Sequence, residues 1–288
     1  MTPRQKNEAK WGLIFVAPTI IGLLILNYYP IFETVYQSFC KTGDFGIGNK
    51  FIGLKNYITL FHDKEVFQTL FNAVKYAAVS LPLTIIISLV LAVLLNRKMK
   101  GRGIYRTIFF LPMVCAPAAT AMVWKWIFNQ QYGLLNHIFG TQTAWISDPA
   151  IAWISVAVIG VWSIIGYNMV LFLGGLQEIP HDYYEAAEID GATGIRQFFN
   201  ITVPLLSPTT FFIVTMSIIG AFQLYDQVLM MTDGGPANST VTPVFVIYNR
   251  AFGTNSNMGY ASAQAVLLFL VIAAITVLTQ RFVKDRAY

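Results

Sequence analysis

Two neighbouring apolar stretches of the chain carry the side chains best suited to holding a sugar ring. Aromatic faces can stack on such a ring, and amide, hydroxyl or carboxylate groups can hydrogen-bond its hydroxyls. Each aromatic residue alone could instead belong to an interfacial belt or to a helix contact. Asp226 is the sharpest case, because an acid at the end of a charge-free stretch usually faces a cavity or a partner. The candidate path residues are Trp162, Tyr167, Asn168, Ser217, Gln223, Tyr225 and Asp226.

Chemistry on metals, nucleotides or covalent intermediates has little support in the sequence. His62, His137 and His181 are scattered along the chain and form no ligand cluster. The two cysteines lie far apart and lack a C-x-x-C spacing. No G-x-x-x-x-G-K-[ST] loop is present, so this chain is not predicted to bind nucleotide. We therefore expect no catalytic residue, no metal site and no cofactor in this chain.

The elements that must position the path residues follow from composition and hydropathy. The 288 residues are 56% hydrophobic and 11% charged, and their mean hydropathy is +0.57, which is typical of a membrane protein. A helix needs about 20 apolar residues to cross the hydrocarbon core, where every backbone group must bond internally. Six stretches qualify, at residues 11–32, 76–95, 107–126, 150–176, 204–225 and 261–280. The sequence thus predicts an all-α membrane protein with six transmembrane helices in a single domain of residues 1–288.

The lysines and arginines predict the orientation, because the cytoplasmic side of a membrane protein carries their excess. They lie at the ends of the apolar stretches and form no basic face with interleaved aromatics, so nucleic acid is not an expected partner. Twelve lie on the side of the termini, namely Arg4, Lys6, Lys10, Arg97, Lys98, Lys100, Arg102, Arg106, Arg196, Arg281, Lys284 and Arg286. Five lie on the other side, namely Lys41, Lys50, Lys55, Lys64 and Arg250. Both termini are therefore expected in the cytoplasm.

The connection of residues 177–203 falls on the predicted cytoplasmic side although it is acidic. Its acids outnumber its single arginine, which the positive-inside rule does not explain. Asp182 followed by Glu185 resembles a capping box, and Gly191 can supply the left-handed residue that ends a helix. A helix of about two to three turns is predicted here, then a second short helix, with Pro204 opening the fifth span. The first helix could be an ordinary surface helix between two spans.

The spacing of residues in this connection resembles a known family motif. Glu185-Ala186-Ala187, three residues, Gly191, nine residues, Ile201, one residue and then Val203-Pro204 is similar to the EAA loop of binding-protein-dependent ABC transporter permeases. The family pattern is E-A-A-x3-G-x9-I-x-L-P, and only its Leu differs here. The resemblance extends over nearly the whole chain and is closest to the MalF-type carbohydrate permeases in their six-span form. Residues 174–180 and 231–236 contribute to it.

This resemblance implies a MalF-like ABC importer permease fold in a bacterial cytoplasmic membrane, with residues 183–191 as a coupling helix seated in a cleft of an ATPase. The residues it assigns to coupling are Tyr184, Glu185, Ala186, Ala187, Asp190, Gly191 and Pro204. By alignment on the loop, Trp162, Tyr167 and Ser217 fall where MalF-type relatives line their solute site. The implied partners are a second permease subunit in a heterodimer, two cytoplasmic ATPases that use ATP and Mg, an extracellular solute-binding protein and membrane lipid.

Other functional classes fit the sequence less well. A membrane enzyme would show convergent acids, histidines or a nucleophile at bilayer depth. A channel or secondary transporter would show internal repeats and buried ionisable groups. Neither class explains the EAA loop. The expected solute is a sugar or oligosaccharide, with a polyol or a glycerol-phosphate-like solute as the alternative; no cluster of lysine or arginine in the spans favours an anion.

Overall fold

A computed structural model of the chain describes residues 2–42, 48–97, 99–254 and 256–284. Lys98 and Arg286, on which the predicted orientation partly depends, lie outside the described residues. The described chain is mainly helical and contains one two-stranded antiparallel sheet. Its elements are α1 (Pro3–Leu23), α2 (Tyr29–Ser38), β1 (Cys40–Lys41), β2 (Lys50–Phe51), α3 (Lys55–His62), α4 (Lys64–Asn96), α5 (Arg102–Val114), α6 (Pro117–Ile127), α7 (Leu134–Phe139), α8 (Ala152–Glu178), α9 (Asp182–Ile189), α10 (Gly194–Gln197), α11 (Val203–Leu205), α12 (Ser207–Phe222), α13 (Asp226–Met231), α14 (Pro243–Phe252) and α15 (Met258–Lys284). Short π-helical turns join α1 to α2 at Leu24–Tyr28 and α10 to α11 at Phe198–Thr202.

Four helical segments are long and apolar enough to cross a membrane, and two bent pairs raise the number to six if each pair is one span. The four are Asn7–Ser38, Lys64–Asn96, Ala152–Glu178 and Met258–Arg281. The pairs are α5 with α6, bent by 98°, and Gly194–Leu205 with α12, bent by 64°. The predicted all-α membrane architecture is confirmed, whereas the count of six spans stays a prediction.

The second apolar helix is longer than hydropathy alone predicted. α4 begins at Lys64 rather than at Tyr76. Its first turns carry Lys64, Glu65 and Lys75, which fail an apolar criterion although lysine and glutamate are good helix formers. The helix therefore extends beyond the charge-free window from which the span was predicted.

The long helix of the predicted fifth span begins at Ser207, beyond the predicted opening at Pro204, and the bounds of the span itself stay a prediction. Pro204 lies in the single turn α11, directly after the π-helical turn. The long helix α12 starts after the bend and has Pro208 in its first turn. Either proline suits a helix start, where its missing N–H is not needed. Sequence pattern alone could not tell which of the two begins the longer helix.

The described chain divides into two compact units. The larger comprises Lys64–Val246 and Leu268–Tyr288, and in it α4 packs along α8 while α5 and α12 pack against the same pair. Ala92, Met169, Phe172 and Ile213 are fully buried at its centre. The backbones of α5 and α8 meet at Gly166, where a Cβ would lie 1.8 Å from the carbonyl oxygen of Phe109.

The smaller unit comprises Met1–Asp63 and Ile247–Leu267. In its sheet Cys40 lies opposite Phe51. Asn56, on the short helix α3, donates both amide hydrogens to the carbonyls of Ser38 and Cys40, at 2.9 Å each. These bonds fix α3 to the end of α2 and to the sheet. The prediction that the whole chain is a single domain stays a prediction.

Candidate functional site

The connection between α8 and α12 presents the helix α9, whose C-terminal end is closed by a complete set of hydrogen bonds. Gly191 has a φ of +74°. The Gly191 N–H donates to the Glu188 carbonyl at 3.0 Å, and the Ala192 N–H donates to the Ala187 carbonyl at 2.8 Å. Together they form a Schellman motif, which satisfies carbonyls that the helix itself cannot. The predicted left-handed stop at Gly191 is confirmed.

The start of α9 differs from the prediction. The N-cap residue is His181 rather than Asp182, and no side chain caps the first turn. The predicted capping box is therefore wrong, because Asp182 already lies inside the helix. Glu185 instead contacts the residue four positions earlier, with 3.1 Å between its Oε1 and His181 Nδ1. Asp182 and Glu185 still favour this end, since negative charge stabilises a helix N-terminus.

The helix α9 buries none of its side chains within the chain. Glu185, Ala186 and Asp190 are exposed and Ala187 is half-buried. Ile189 is 87% exposed, although burying an isoleucine is worth about 1.5–3 kcal/mol. The predicted coupling residues thus lie together with an uncovered apolar side chain and acidic groups on one short, well-terminated helix. Pro204 is exposed in α11, beyond the second short helix.

One side chain of α9 ties it to the rest of the connection. The hydroxyl of half-buried Tyr184 lies 2.9 Å from Oγ1 of buried Thr202. Both residues line an open cavity of about 850 Å³ that also includes Asn96 and Arg97 at the end of α4. Tyr184 therefore ties α9 to the π-helical turn that joins α10 to α11.

Removing this anchor should loosen α9 without unfolding the chain. A hydrogen bond of this kind contributes about 0.5–1.5 kcal/mol, so Tyr184→Phe should speed amide hydrogen exchange in α9 by about 2- to 12-fold. Tyr183→Phe is the matched control, because Tyr183 is the exposed neighbour on the same helix. Mass-spectrometric exchange on the two variants measures the difference. Equal exchange in both would show that the bond to Thr202 does not hold α9.

A second cavity, of about 320 Å³, opens among α4, α5, α6, α8 and α12. Four predicted path residues line it: Ser217, Gln223, Tyr225 and Asp226. They come from the last turns of α12 and the start of α13, where α12 ends at Phe222 and the chain turns. Asp226 is exposed and Ser217 half-buried.

Trp162, Tyr167 and Asn168 lie on α8 but are not among the described residues that line this cavity. The Trp162 ring meets Trp124 edge to face, with 5.5 Å between ring centroids. Tyr167 is half-buried. Asn168 is buried, and its Nδ2 has no hydrogen-bond partner in the part of the chain that the structure describes. The structure therefore does not bring these three residues together with the four that line the cavity.

Sequence reasoning missed a row of cavity residues on α4. Tyr76, Ser80 and Thr84 line the cavity, and their spacing of four residues places them on one face of a helix. That spacing of polar residues in an apolar stretch was the signal that could have found them. Gly160 on α8 makes room for the row, because a Cβ there would lie 1.8 Å from the Tyr76 hydroxyl oxygen.

Hydroxyl and amide groups dominate the polar lining of this cavity. Ser163 and Thr120 add hydroxyls to those already named, and Gln227 adds an amide. Asp226 supplies the charge, and no lysine or arginine is among the described lining residues. No group of three His, Cys, Asp or Glu that could hold a metal ion occurs in the described part of the chain. The lining is suited to hydrogen-bonding a neutral solute with many hydroxyls.

The break between α5 and α6 adds backbone groups to this cavity. Met113, Cys115 and Pro117 line it. In a continuous helix the Met113 carbonyl would accept a hydrogen bond from residue 117, but proline has no N–H. That carbonyl, in the last turn of α5, therefore has no partner in its own helix. Irregular backbone at membrane depth is tolerated where it lines a water-filled cavity, which agrees with its position here.

Comparison with known proteins gives a family and close relatives. Residues 84–287 match the family model described as "Binding-protein-dependent transport system inner membrane component". The chain is 37% identical over 279 residues to "Probable ABC transporter permease protein YurN" of Bacillus subtilis, covering 94% of this chain and 95% of the relative. It is 35% identical over 280 residues to "sn-glycerol-3-phosphate transport system permease protein UgpA" of Agrobacterium fabrum, covering 96% and 95%.

Solved structures share the fold at lower identity. One is a bacterial ABC transporter involved in the import of the acidic polysaccharide alginate, with a TM-score of 0.83, 19% identity, and coverage of 98% of this chain and 99% of that one. Another is a bacterial alginate ABC transporter in complex with an alginate pentasaccharide-bound periplasmic protein, with a TM-score of 0.85, 18% identity, and coverage of 98% and 97%. At such identity the likeness establishes the ABC importer permease fold.

Proposed function

This chain belongs to the family of binding-protein-dependent transport system inner membrane components, and from that premise we propose that it couples a cytoplasmic ATPase to solute uptake through α9. It is a membrane-spanning permease subunit of an ABC importer. One observation supports the coupling role. The helix α9 ends in a Schellman motif and is held by the bond between Tyr184 and Thr202, yet none of its residues is buried within the chain. A helix of this kind can transmit motion as a rigid body once a partner covers it.

The proposed coupling is mechanical. Closure of two ATPase subunits around ATP and Mg would push on Glu185 and Ala186, which are exposed on α9, and on Asp190, which is exposed at its C-cap. The Schellman turn at Gly191 and the Tyr184 hydroxyl bond support transmission of that push to α10, α11 and α12. Nucleotide chemistry stays in the ATPase, because this chain carries no phosphate-binding loop.

The proposed assembly has five parts: this chain, a second permease subunit in a heterodimer, two ATPases and an extracellular solute-binding protein. The exposure of the first span supports the presence of a second permease subunit. None of the side chains in the most apolar window of Asn7–Ser38 is buried within the chain, so this helix has a full surface left for lipid or another subunit. The excess of lysine and arginine at both ends of the chain supports cytoplasmic termini and an external segment before α4.

The proposed solute is a neutral sugar or oligosaccharide. The 320 Å³ cavity supports it, because its described lining carries hydroxyls, amides, two aromatic rings and one acid but no cation. An anion at that depth would need a positive partner to replace lost water. A glycerol-phosphate-like solute is the second candidate, since several relatives are named for sn-glycerol-3-phosphate.

Co-purification from the native host tests the assembly. A tagged chain, extracted in mild detergent and analysed by mass spectrometry, should bring down a second permease and an ATPase. The solute-binding protein of the same system is then screened by thermal shift against neutral sugars, uronate oligosaccharides and sn-glycerol 3-phosphate. Stabilisation by a neutral sugar supports the proposed solute class, and stabilisation by glycerol phosphate supports the alternative. Recovery of this chain alone as a stable oligomer would contradict the ATPase-coupled assembly.

A further inference from the structure

The smaller unit contains a polar pocket of about 330 Å³ that the proposed function does not use. We call it the lysine pocket. It is lined by residues of β1 and α3 and by Arg250, Asn257 and Tyr260, and its charged and aromatic side chains are Lys41, Lys55, Asp63, Arg250 and Tyr260. It is separate from both cavities described above, which are lined by residues of the larger unit.

Hydrogen bonds hold the walls of the lysine pocket in place. The Gly259 N–H donates to Thr42 Oγ1 at 2.7 Å, and a Cβ on Gly259 would lie 2.0 Å from the Cys40 carbonyl oxygen, so the start of α15 lies directly against β1. The Asn257 N–H donates to the Arg250 carbonyl at 2.7 Å, and the Tyr260 N–H donates to Asn257 Oδ1 at 3.1 Å. These hydrogen bonds fix the walls of the pocket, so its shape does not depend on the two exposed lysines.

The charge of the lysine pocket is positive. The Asp63 carboxylate is already engaged, since it accepts the Tyr260 hydroxyl at 2.7 Å and lies 3.7 Å from Arg250. The Arg250 guanidinium also lies 5.6 Å from the centre of the Tyr260 ring. Lys41 and Lys55 are exposed, and among the described residues neither forms an ion pair with a carboxylate. With Asp63 and Arg250 balancing each other, the two lysines leave a site complementary to an anion.

The faces of α3 indicate which side the pocket opens to. Leu54, Ile58 and Phe61 form an apolar stripe, exposed by 62%, 61% and 59%. Lys55, Thr59 and Asp63 face the pocket, and at 3.6 residues per turn the centres of the two sets lie about 130° apart. A stripe of this kind beside a span end lies in the membrane interface. The pocket therefore opens away from lipid, toward water.

From these observations we infer that the lysine pocket receives an acidic side chain of the extracellular solute-binding protein. The inference rests on the proposed function, because the proposed orientation puts α3 and β1 on the external face. Charge complementarity favours a carboxylate, and the opening toward water favours a soluble partner over a lipid headgroup. Attraction between such groups acts mainly on the rate and salt dependence of docking.

Charge reversal in the assembled transporter tests this inference. The complete transporter is reconstituted in lipid nanodiscs with its own solute-binding protein, and ATP hydrolysis is measured against binding-protein concentration. In the Lys41→Glu/Lys55→Glu variant, the concentration for half-maximal stimulation should rise about tenfold, with a weaker dependence on salt. Hydrolysis without binding protein should stay unchanged. Lys64→Glu is the matched control, because Lys64 is an exposed lysine next to α3 that does not line the pocket.

The remaining outcomes overturn the inference. An equal response of the double variant and of Lys64→Glu would assign the effect to general charge on that face. A shift seen only in nanodiscs with anionic lipid would assign the pocket to a lipid headgroup. A changed half-saturation for solute with unchanged binding-protein dependence would assign it to a free anion. If the parent transporter shows no stimulation by any binding protein, the proposed function itself fails and the inference falls with it.

Discussion

Glu185→Lys should strongly reduce ATP-driven uptake while the chain stays folded and inserted. Glu185 is exposed on α9, and its contact with His181 joins two exposed side chains, so losing it costs the fold little. If α9 is covered by an ATPase subunit, the reversed charge is placed in that interface, where losses of about 2–5 kcal/mol are usual for a misplaced charge. Uptake and binding-protein-stimulated ATP hydrolysis should both fall at least about tenfold.

Glu178→Lys is the matched control for this variant. Glu178 is also exposed and lies in the same acidic connection, but at the end of α8 rather than on α9. It should retain most of the parent uptake. A second pair of variants, Gly191→Val and Gly194→Val, tests backbone geometry instead of charge. A Cβ meets nothing within 4 Å at either position, but only Gly191 has a positive φ, of +74°, which a valine rarely adopts. Parent-like uptake and hydrolysis in folded Glu185→Lys and Gly191→Val proteins would refute the coupling role of α9.

Gly166→Ala should destabilise the larger unit. The added Cβ would lie 1.8 Å from the Phe109 carbonyl oxygen and 2.8 Å from the Phe110 Cα. These are backbone atoms, so relief requires α5 to move away from α8 rather than a side chain to rotate. Overpacking of this kind costs about 1–3 kcal/mol, which corresponds to a midpoint lower by about 2–12 °C, at about 2–4 °C per kcal/mol for a large domain.

Gly174→Ala, on the same helix, provides the control. A Cβ at Gly174 meets nothing within 4 Å, and alanine is the better helix former, so this variant should match or slightly exceed the parent midpoint. Heating both variants in detergent and measuring the monodisperse fraction by size exclusion makes the comparison. An unchanged midpoint for Gly166→Ala would mean that α5 does not lie against α8, and the 320 Å³ cavity would then lack the wall that α5 provides.

Local signals in the sequence predicted the connection of residues 177–203 well at one end and poorly at the other. Gly191 was predicted correctly because a left-handed C-terminal residue is decided by the residue itself. The capping box at Asp182 was wrong because the N-cap depends on where the chain leaves α8 and turns, and that is a property of the packed helices. Pro204 and Pro208 show the same limit, since both fit a helix start and packing decides between them.

The sequence predicted only some of the residues that line the cavity. Gln223, Tyr225 and Asp226 were found because they occupy the polar end of an apolar stretch, whereas Ser217, inside α12, was also predicted from the family resemblance. The row on α4 was missed, since only the packing of α4 along α8 decides which face of α4 turns inward. Trp162, Tyr167 and Asn168 were predicted from their residue types in the apolar stretch of α8, with the resemblance adding support for Trp162 and Tyr167, but they are not among the described residues that line the cavity; their role in solute passage stays a prediction.

The break between α5 and α6 has a consequence for how tightly the proposed pathway can hold a solute. A carbonyl that no N–H in its own helix can satisfy must keep a water molecule whenever the cavity is otherwise empty. A solute hydroxyl that enters there exchanges one hydrogen bond for another and gains little free energy. We therefore expect weak binding in the cavity itself. Weak binding suits a passage, because a solute held tightly halfway across would have to be released again before it could enter the cell.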